Sequence, residues 1–410
     1  MTKKILTNLF YFTIGVIGTI FLIKFDNPLK NIYKKIKSNK NISVSITTSD
    51  TVSKQKDSIK RFFTNDFELS LIPALYNKNT IKTAGILLEE GLINVYEQDD
   101  IYKVWKKFSL EKILKDCEPA VSKNNGFYGG LRKIFSYQNN TFAFISLKKK
   151  NSDCFFTSII NLSKRIEVFR SPCVPDFVTP NVDFNASGGG WITYNNGILF
   201  ALGAPTVFGK KTEKLAQDLS SPYGKIIYFT KNQLLNGLPN MFNFEIFSSG
   251  HRNIQGIVSS NRNIFAVEHG PMGGDEINEI VKNKNYGWPF YSLGTDYNYN
   301  NIYQPFVNNN KYKGPIYSFI PSIACSDIIK APEIISNRYH PLSSFLVSSL
   351  KGNSLFIILI DENDNNRIIS VEKIDVKMRL RQFLKIGQKI YISTDGYGIF
   401  EIFFKKIALK

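Results

Sequence analysis

The densest run of residues that could carry out chemistry lies within residues 248–289. It holds two of the chain's three histidines, His251 and His269, together with Arg252. A guanidinium suits a carboxylate ligand, because its two parallel N–H bonds fit two oxygens. Three side chains with ligating oxygens follow in the same run, namely Asp275, Glu276 and Asn278. They could support a metal ion or cap a loop, and the sequence favours neither interpretation.

The four cysteines, Cys117, Cys154, Cys173 and Cys325, lack a metal-binding spacing such as C-x-x-C. Cys154 begins a strand-like run and Cys173 follows the next one, so these two could lie on neighbouring strands. In an oxidising compartment they could form a disulfide. The alternative is four buried free thiols, and the spacing leaves both open.

The elements that must position these residues are strands. After residue 66, short apolar runs alternate with Gly, Asn, Asp and Pro turns, which predicts an all-β fold. A degenerate turn–strand–loop unit recurs at 140–146, 197–203, 263–269, 344–349 and 389–394, with a further candidate at 91–96. Such recurrence is typical of four-stranded blades with loop insertions. Closing six units into a ring removes most exposed edges, which favours a six-bladed β-propeller of four-stranded antiparallel blades over a sandwich.

The N-terminal part of the chain has a different composition. A short basic segment, residues 1–4, precedes an uncharged run at 5–23 that is about the length needed to cross a bilayer as a helix. No small-residue cleavage site follows, so we predict an uncleaved transmembrane anchor. Residues 24–66, rich in Lys, Asn, Ser and Thr, are predicted to be a polar tether, and 67–410 the folded domain. The lysines after the run would place that side in the cytoplasm by the positive-inside rule.

The formal net charge of +18 raises the question of nucleic acid binding. Most basic residues are lysines scattered along the whole chain, apart from one cluster after the hydrophobic run, and no nucleic-acid motif accompanies them. We therefore expect no nucleic acid partner. A lysine-rich surface of this kind favours anionic ligands or lipids.

Residues 248–289 closely resemble the signature of the quinoprotein glucose/sorbosone dehydrogenases. The run contains GHRNIQG, EHGPMGGDEIN and NYGWP in that order. Weaker resemblances to the same family lie at 216–227, 322–327, 345–351 and 379–395. Together they cover roughly residues 85–403, and they identify the chain as similar to the soluble aldose sugar dehydrogenases that depend on pyrroloquinoline quinone.

The resemblance implies a six-bladed propeller with pyrroloquinoline quinone bound in an axial cleft. That cofactor carries three carboxylates and an o-quinone, and the positions that match its binding residues are Arg252, Asn253, Lys351, Arg379 and Arg381. It also implies a calcium ion bound partly by the backbone carbonyls of Gly270 and Pro271, since a hard cation prefers oxygen ligands and would polarise the quinone. The alternative is that the charged side chains form structural ion pairs between blades.

The chain departs from the family where a base should take the hydroxyl proton of the sugar. The family histidine position is occupied by Ser187 and its arginine position by Trp191, and Tyr128 replaces an upstream glutamine. An unassisted serine is a poor base near neutral pH. Asp183 is the substitute that the sequence offers.

Two functions therefore follow from the sequence. The first is a quinone-dependent dehydrogenase that oxidises a sugar or related alcohol with a rearranged base. The second is a catalytically inactive envelope propeller that binds a ligand, a glycan or a protein, because fold alone does not guarantee activity. Because the family is exported, we expect an inner-membrane anchored protein with its propeller facing the periplasm or the cell exterior.

Overall fold

The computed structural model describes residues 59–75, 82–120, 130–174, 182–207, 212–237, 244–296, 303–304 and 311–407. Strands dominate these ranges, and every pairing between named strands is antiparallel, as the all-β prediction requires. No helix in the described ranges is both long and apolar enough to cross a membrane. The predicted basic segment 1–4 and anchor 5–23 lie outside the described residues.

The strands, in chain order, are β1 (Lys60–Phe63), β2 (Phe67–Leu75), β3 (Thr83–Glu89), β4 (Leu92–Glu97), β5 (Cys117–Pro119), β6 (Gly130–Tyr137), β7 (Asn140–Lys149), β8 (Phe155–Asn161), β9 (Ile166–Arg170), β10 (Val182–Asp183), β11 (Gly188–Tyr194), β12 (Gly197–Leu202), β13 (Thr206–Val207), β14 (Lys225–Thr230), β15 (Glu245–Ser249), β16 (Ile254–Ser259), β17 (Ile264–Glu268), β18 (Asp275–Glu279), β19 (Tyr317–Phe319), β20 (Cys325–Lys330), β21 (Ser343–Ser349), β22 (Ser354–Asp361), β23 (Arg367–Asp375), β24 (Leu380–Ile386), β25 (Lys389–Thr394) and β26 (Gly398–Lys406). The α-helices are short: α1 (Ile101–Lys107), α2 (Leu110–Ile113), α3 (Lys231–Asn236) and α4 (Glu333–Tyr339). Three 3-10 turns lie at Gln98–Asp100, Phe184–Ala186 and Thr212–Gln217.

Six sheets form the blades of a β-propeller. Blade 1 is β3–β4, blade 2 is β6–β9 with β5 paired to the end of β7, blade 3 is β11, β12, β14 and β15, blade 4 is β16–β19, blade 5 is β20–β23, and blade 6 is β24–β26 with β2 and β1. The first strand of each blade contacts the first strand of the next, and β24 contacts β3, so the inner strands β3, β6, β11, β16, β20 and β24 form a closed circle. Blades 3, 4 and 5 have the predicted four strands.

Blade 1 departs from the predicted four strands, since it has two within the described residues. The helices α1 and α2 follow it directly, and their apolar side chains Val104 and Trp105 join the core between blades 1 and 2. Helical packing there replaces part of the missing sheet.

The ring is closed by strands from opposite ends of the described chain. The N-terminal β2 pairs with the C-terminal β26 along almost its whole length, and β1 pairs with β2. The strand β1 lies inside the stretch 24–66 that was predicted to be a tether, so at least Lys60–Phe63 of that stretch belong to the folded domain.

A separate apolar cluster fills each of the six interfaces between neighbouring blades. Phenylalanine pairs are typical of these clusters: Phe144 and Phe200 join blades 2 and 3 with ring centroids 5.0 Å apart, and Phe265 and Phe345 join blades 4 and 5 at 5.4 Å. Burying one such side chain contributes about 1.5–3 kcal/mol. The repeated units seen in the sequence all correspond to the second strand of a blade. In blades 2 to 6 this strand is buried along most of its length and is therefore almost continuously apolar, whereas β4 of blade 1 is largely half-buried or exposed.

Every inner strand carries a register shift at its beginning. These bulges turn side chains towards the axis and allow neighbouring inner strands to approach closely. Gly256 is required at one of them, since a Cβ there would lie 2.7 Å from both Asp327 Oδ1 and the backbone nitrogen of Ile328.

A buried charge pair spans the axis. Lys133 follows the bulge of β6 in blade 2 and Asp327 that of β20 in blade 5, on opposite sides of the ring. Burial lowers the pKa of Lys133 and raises the pKa of Asp327, and each charge partly offsets the shift of the other. The Asp327 carboxylate also accepts hydrogen bonds from the backbone N–H groups of Ile328 and Phe383, both at 2.9 Å. Both oxygens of the Asp327 carboxylate are therefore hydrogen-bonded to the backbone within the interior of the ring.

The disulfide that the sequence left open is present. Cys154 and Cys173 are bonded with their Cα atoms 5.0 Å apart, while Cys117 and Cys325 are buried free thiols. The bond joins the residue before β8 to the segment after β9 in blade 2.

Removing this disulfide should lower the free energy of unfolding by about 3 kcal/mol, because the bond restricts the conformations that are open to the unfolded chain. Urea unfolding of the Cys154→Ser/Cys173→Ser variant measures the loss. Dithiothreitol provides the control: it should lower the stability of the wild type to that of the variant and leave the variant unchanged. Equal sensitivity of both proteins to the reductant would contradict the assignment.

Candidate functional site

The predicted site residues lie at one end of the propeller, where the inner strands begin. Arg252 and Asn253 directly precede β16, Arg379 precedes β24, and Arg381 is the second residue of β24. Lys351 lies in the β21–β22 turn, which returns to the same end. Hydrogen bonds join neighbouring blades at this end, from Gly188 N–H to Asn253 Oδ1, between His269 Nε2 and the Cys325 carbonyl, and from the Ser326 hydroxyl to the Leu380 carbonyl.

Glu268, the last residue of β17, shapes the turn that carries Arg252. One of its carboxylate oxygens accepts the backbone N–H groups of both Arg252 and Asn253. The other lies 3.1 Å from Nδ1 of His251, whose Nε2 is 2.8 Å from the Ser248 hydroxyl. All of these side chains except Arg252 are buried. His251 and Glu268 therefore support the turn, and the Arg252 side chain projects from it.

Two arginines from different blades flank one histidine. Arg252 Nη1 donates to the backbone carbonyl of His269 at 3.1 Å. Burial lowers the pKa of His269, Asp275 opposes this shift, and the positive charges of Arg252 and Arg381 lower the pKa further. Arg252 from blade 4 and Arg381 from blade 6 are thus both near the same imidazole. The imidazole itself is held by a 2.6 Å contact between its Nε2 and the carbonyl of Cys325.

Asp395 holds the two arginines of blade 6. Arg381 contacts its carboxylate with Nε at 2.8 Å and Nη2 at 3.0 Å, and Arg379 contacts it with Nε at 2.9 Å. The side chain of Arg381 is 13% exposed and that of Arg379 48%. Arg379 Nη1 also reaches the carbonyl of Leu350 at 3.5 Å, next to the exposed Lys351. Arg379 and Lys351 therefore present positive charge to solvent at this end.

Asn253 uses its side chain within the protein. Its Oδ1 accepts from the Gly188 N–H at 3.0 Å and from Gln255 Nε2 at 2.8 Å, and its Nδ2 donates to the Asn185 carbonyl at 3.3 Å. To contact the cofactor as predicted, the Asn253 side chain would have to give up hydrogen bonds that join blade 3 to blade 4.

The predicted calcium ligands lie in a tight loop between β17 and β18. The Pro271 carbonyl accepts from the Gly274 N–H and from the Ser322 hydroxyl, both at 3.3 Å. Asp275 accepts from the Gly270 N–H at 3.2 Å and from the Ala324 N–H, so it caps this loop. Among the described residues, no group of three or more His, Cys, Asp or Glu side chains is arranged to hold a metal.

Glu276 and Asn278 are interior residues beneath the loop. Burial raises the pKa of Glu276 to about 8, and the nearby charge of Glu268 adds to the shift. Asn278 Nδ2 donates to Glu276 at 3.1 Å, whereas its buried Oδ1 lacks a hydrogen-bond partner within the described part of the chain. Burial beside Glu268 therefore favours the protonated form of Glu276.

The positions that depart from the family have different environments. Ser187 is buried, and its carbonyl accepts from the Gly203 N–H at 2.7 Å. The Trp191 ring packs 4.8 Å from Phe135 in the interface between blades 2 and 3, so the bulge of β11 directs it into the core. Asp183 pairs through its backbone with Thr206. Its side chain, like the whole of Tyr128, lies outside the described residues.

The sequence analysis missed the loop between β12 and β14 as part of this site. Its 3-10 turn Thr212–Gln217 includes Glu213, which is partly exposed. Burial raises the pKa of Glu213, and the positive charge of Arg252 opposes that shift, which places the two charges near one another. The resemblance at 216–227 was the signal available in the sequence.

A shallow pocket opens beside Arg252. Its walls include His269, Glu276, Trp288 and Tyr291. The Trp288 ring lies 5.3 Å from the Arg252 guanidinium carbon, in cation–π contact. The site thus combines clustered guanidiniums, an exposed lysine and an aromatic wall, which suits a flat ligand with several carboxylates.

Comparisons with known proteins identify relatives of this arrangement. A family model of glucose/sorbosone dehydrogenases matches residues 177–399, more than half of the chain. The aldose sugar dehydrogenase YliI of Escherichia coli is 36% identical over 121 residues, which are 28% of this chain and 31% of that protein. The matches span about a third of the length of the first curated relatives.

Solved structures share the fold. The soluble aldose sugar dehydrogenase of Escherichia coli in its apo form superposes with a TM-score of 0.54 at 21% identity, covering 68% of this chain and 84% of that chain. The aldose sugar dehydrogenase of Streptomyces coelicolor in its PQQ-bound form gives a TM-score of 0.52 at 19% identity, covering 82% and 98%. With the family model matched across most of blades 3 to 6, the chain belongs to the glucose/sorbosone dehydrogenase family.

Proposed function

We propose that the protein binds pyrroloquinoline quinone at this end of the propeller and oxidises a sugar or a related alcohol. The observation that carries the proposal is that Arg252 of blade 4 and Arg381 of blade 6 lie at the same end of the propeller, where Arg252 Nη1 donates to the His269 carbonyl at 3.1 Å and Asp395 fixes Arg381. Arg379 and Lys351 add charge at the same end. The PQQ-bound relative from Streptomyces coelicolor supports the choice of cofactor.

The donors at the site fit the cofactor's chemistry. Each guanidinium can bind a carboxylate through parallel N–H bonds, and a positive charge near the quinone favours its reduction. When bound, the quinone supplies an electrophilic carbonyl that accepts hydride from the alcohol carbon. Arg381 is fixed by Asp395, whereas Arg252 lines the pocket and Arg379 and Lys351 are exposed to solvent at the same end.

Calcium is the second ligand we propose, on the resemblance of the loop that holds Gly270 and Pro271. Carbonyl oxygens suit a hard cation. The Pro271 carbonyl would have to exchange its bonds from Gly274 and Ser322 for the ion. Because both bonds are 3.3 Å long, they are weak competitors for a divalent cation.

The proton of the alcohol needs an acceptor other than Ser187. We propose Glu213 for this role, because it is partly exposed and lies within the electrostatic reach of Arg252. Two other acids line the pocket beside Arg252, and both already accept hydrogen bonds within the protein: Glu268 from the backbone N–H groups of Arg252 and Asn253, and Glu276 from Asn278 Nδ2. A carboxyl with a raised pKa is the stronger base once it is ionised.

We also propose an inner-membrane anchored protein with its propeller in the periplasm or outside the cell. Two features support this: the uncharged run at 5–23, and a disulfide that persists only in an oxidising compartment.

Quinone binding should depend on the clustered arginines. Fluorescence titration with pyrroloquinoline quinone is expected to show that Arg252→Ala raises Kd about 10–100-fold, the value of one charge-assisted hydrogen bond of about 1.5–3 kcal/mol. Arg262→Ala, in the β16–β17 turn at the opposite end, is the matched control and should bind like the wild type. Equal loss in both variants would contradict the site. Adding a chelator to the same titration tests calcium, which is supported only if Kd rises.

Turnover should be low in the wild type and should depend on Glu213. With bound quinone, dye reduction by a panel of aldoses is expected to fall a further ~100-fold or more in Glu213→Gln, because removal of a general base costs about two to four orders of magnitude. Activity should rise with pH as Glu213 ionises, at a pH above the ordinary range for glutamate because its pKa is raised. Glu111→Gln, on the exposed face of α2, is the control.

Two other outcomes of the dye-reduction assay would change the assignment. Full activity in Glu213→Gln would move the role to another residue, with Asp183 the first to test. Quinone binding without any oxidation would identify an inactive binding module, and Ser187→His should then create activity if the missing histidine is the reason.

The membrane topology is tested by a C-terminal fusion to a reporter that is active only outside the cytoplasm. We expect an active reporter in the membrane fraction. A fusion that works only with a cytoplasmic reporter would place the propeller inside, as the lysines after the apolar run suggest.

A further inference from the structure

The loop between β12 and β14 lies directly against the turn that carries Arg252. Three backbone hydrogen bonds join them: Ala204 N–H to the Arg252 carbonyl at 2.8 Å, Gly250 N–H to the Ala216 carbonyl at 3.0 Å and His251 N–H to the Gly224 carbonyl at 3.1 Å. The 3-10 turn Thr212–Gln217 belongs to this loop. The site of blade 4 is therefore partly built by blade 3.

A buried lysine fixes the shape of this loop. The ammonium of Lys225 donates to the carbonyls of Leu215, Ala216 and Tyr223 at 2.8, 2.9 and 2.9 Å. These three bonds use all the donors that an ammonium has. Because Lys225 is completely buried, the carbonyls compensate for the loss of water around its charge. The end of the 3-10 turn is thereby held at one position.

Gln217, the last residue of that turn, connects it to the loop after β18. Its Nε2 lies 3.1 Å from Asn285 Oδ1, and Asn285 Nδ2 lies 2.8 Å from Gln217 Oε1, so the two amides pair reciprocally. Gln217 Nε2 also donates to the Trp288 carbonyl at 2.6 Å. These contacts hold the backbone that carries the Trp288 ring.

The Trp288 ring in turn bounds the Arg252 side chain. The guanidinium carbon is 5.3 Å from the ring centroid, and Nη1 has the His269 carbonyl as its partner. Trp288 is nearly fully buried and is backed by Tyr303, with ring centroids 5.2 Å apart. A shift of the Trp288 backbone would therefore displace one of the two surfaces that orient the guanidinium.

We infer that Gln217 is a positioning residue, which orients the Arg252 guanidinium for an anionic ligand through Asn285 and Trp288. The inference rests on the proposed function, in which Arg252 binds a carboxylate of the quinone. Gln217 acts from a different blade and 35 residues before Arg252 in the sequence (252 − 217), so it contributes to ligand affinity without touching the ligand.

A double-mutant cycle on quinone affinity tests this inference, because residues that act through one another are non-additive. Gln217→Ala is expected to raise Kd about 5–10-fold in the wild-type background and to have no effect in the Arg252→Ala background. In the Arg379→Ala background, where the loop is not involved, the full effect should remain. Gln217→Glu, which keeps the size but loses the donor to the Trp288 carbonyl, should reproduce most of the loss. Equal effects in all three backgrounds would overturn the inference.

A second measurement needs no quinone. The Arg252 Nε–H signal in an ¹⁵N-arginine NMR spectrum should be shifted upfield by the Trp288 ring, and Gln217→Ala should reduce that shift while the melting temperature stays within a few degrees. An unchanged Arg252 signal would refute the inference even if the quinone binds. Failure of the wild type to bind quinone would refute the proposed function, and the NMR result would still decide the role of Gln217.

Discussion

The architecture depends on the hydrogen bonds between β2 and β26. They join strands separated by most of the folded chain and close six sheets into one circle. Without them blade 6 would lose its two outer strands, and its apolar faces, which pack against blades 5 and 1, would lose their support. Loop closure over so many residues costs only modestly more entropy than over a few dozen, because that cost grows with the logarithm of length. The entropic cost of pairing β2 with β26 is therefore moderate, and closing the ring leaves few unpaired strand edges.

Within this ring, carboxylates hold the turns and the arginine side chains of the candidate site in place. Glu268 receives the N–H groups of the Arg252 turn, Asp275 caps the loop of Gly270, and Asp395 aligns Arg379 and Arg381. These carboxylates fix the geometry and leave the guanidinium surfaces for a ligand. The interpretation of the charges as simple ion pairs between blades fits only part of this pattern, because Arg379 and Arg381 pair with Asp395 of their own blade.

Much of the fold could be predicted from the sequence, because the second strand of blades 2 to 6 is buried along most of its length and forms an almost continuous apolar run. The unit at 389–394 coincides with β25. The two-stranded form of blade 1 could not be predicted, since α1 and α2 replace sheet with helical packing whose value depends on tertiary contacts. The cation cluster could be predicted from the family motif. The direction of the Trp191 side chain could not be predicted, because the register shift in β11 decides whether this side chain faces the pocket or the core. Gln217 was missed because its partner Asn285 is 68 residues away and neither amide belongs to a charged pattern.

The pair of Lys133 and Asp327 has a consequence for how this chain can diverge from its relatives. Each residue is buried and is the charge that offsets the desolvation of the other across the axis. Substitution of one residue alone removes the opposite charge that partly offsets the burial of the other, whereas exchange of both for apolar residues removes the two buried charges together. The two positions are therefore expected to tolerate a paired substitution better than a single one.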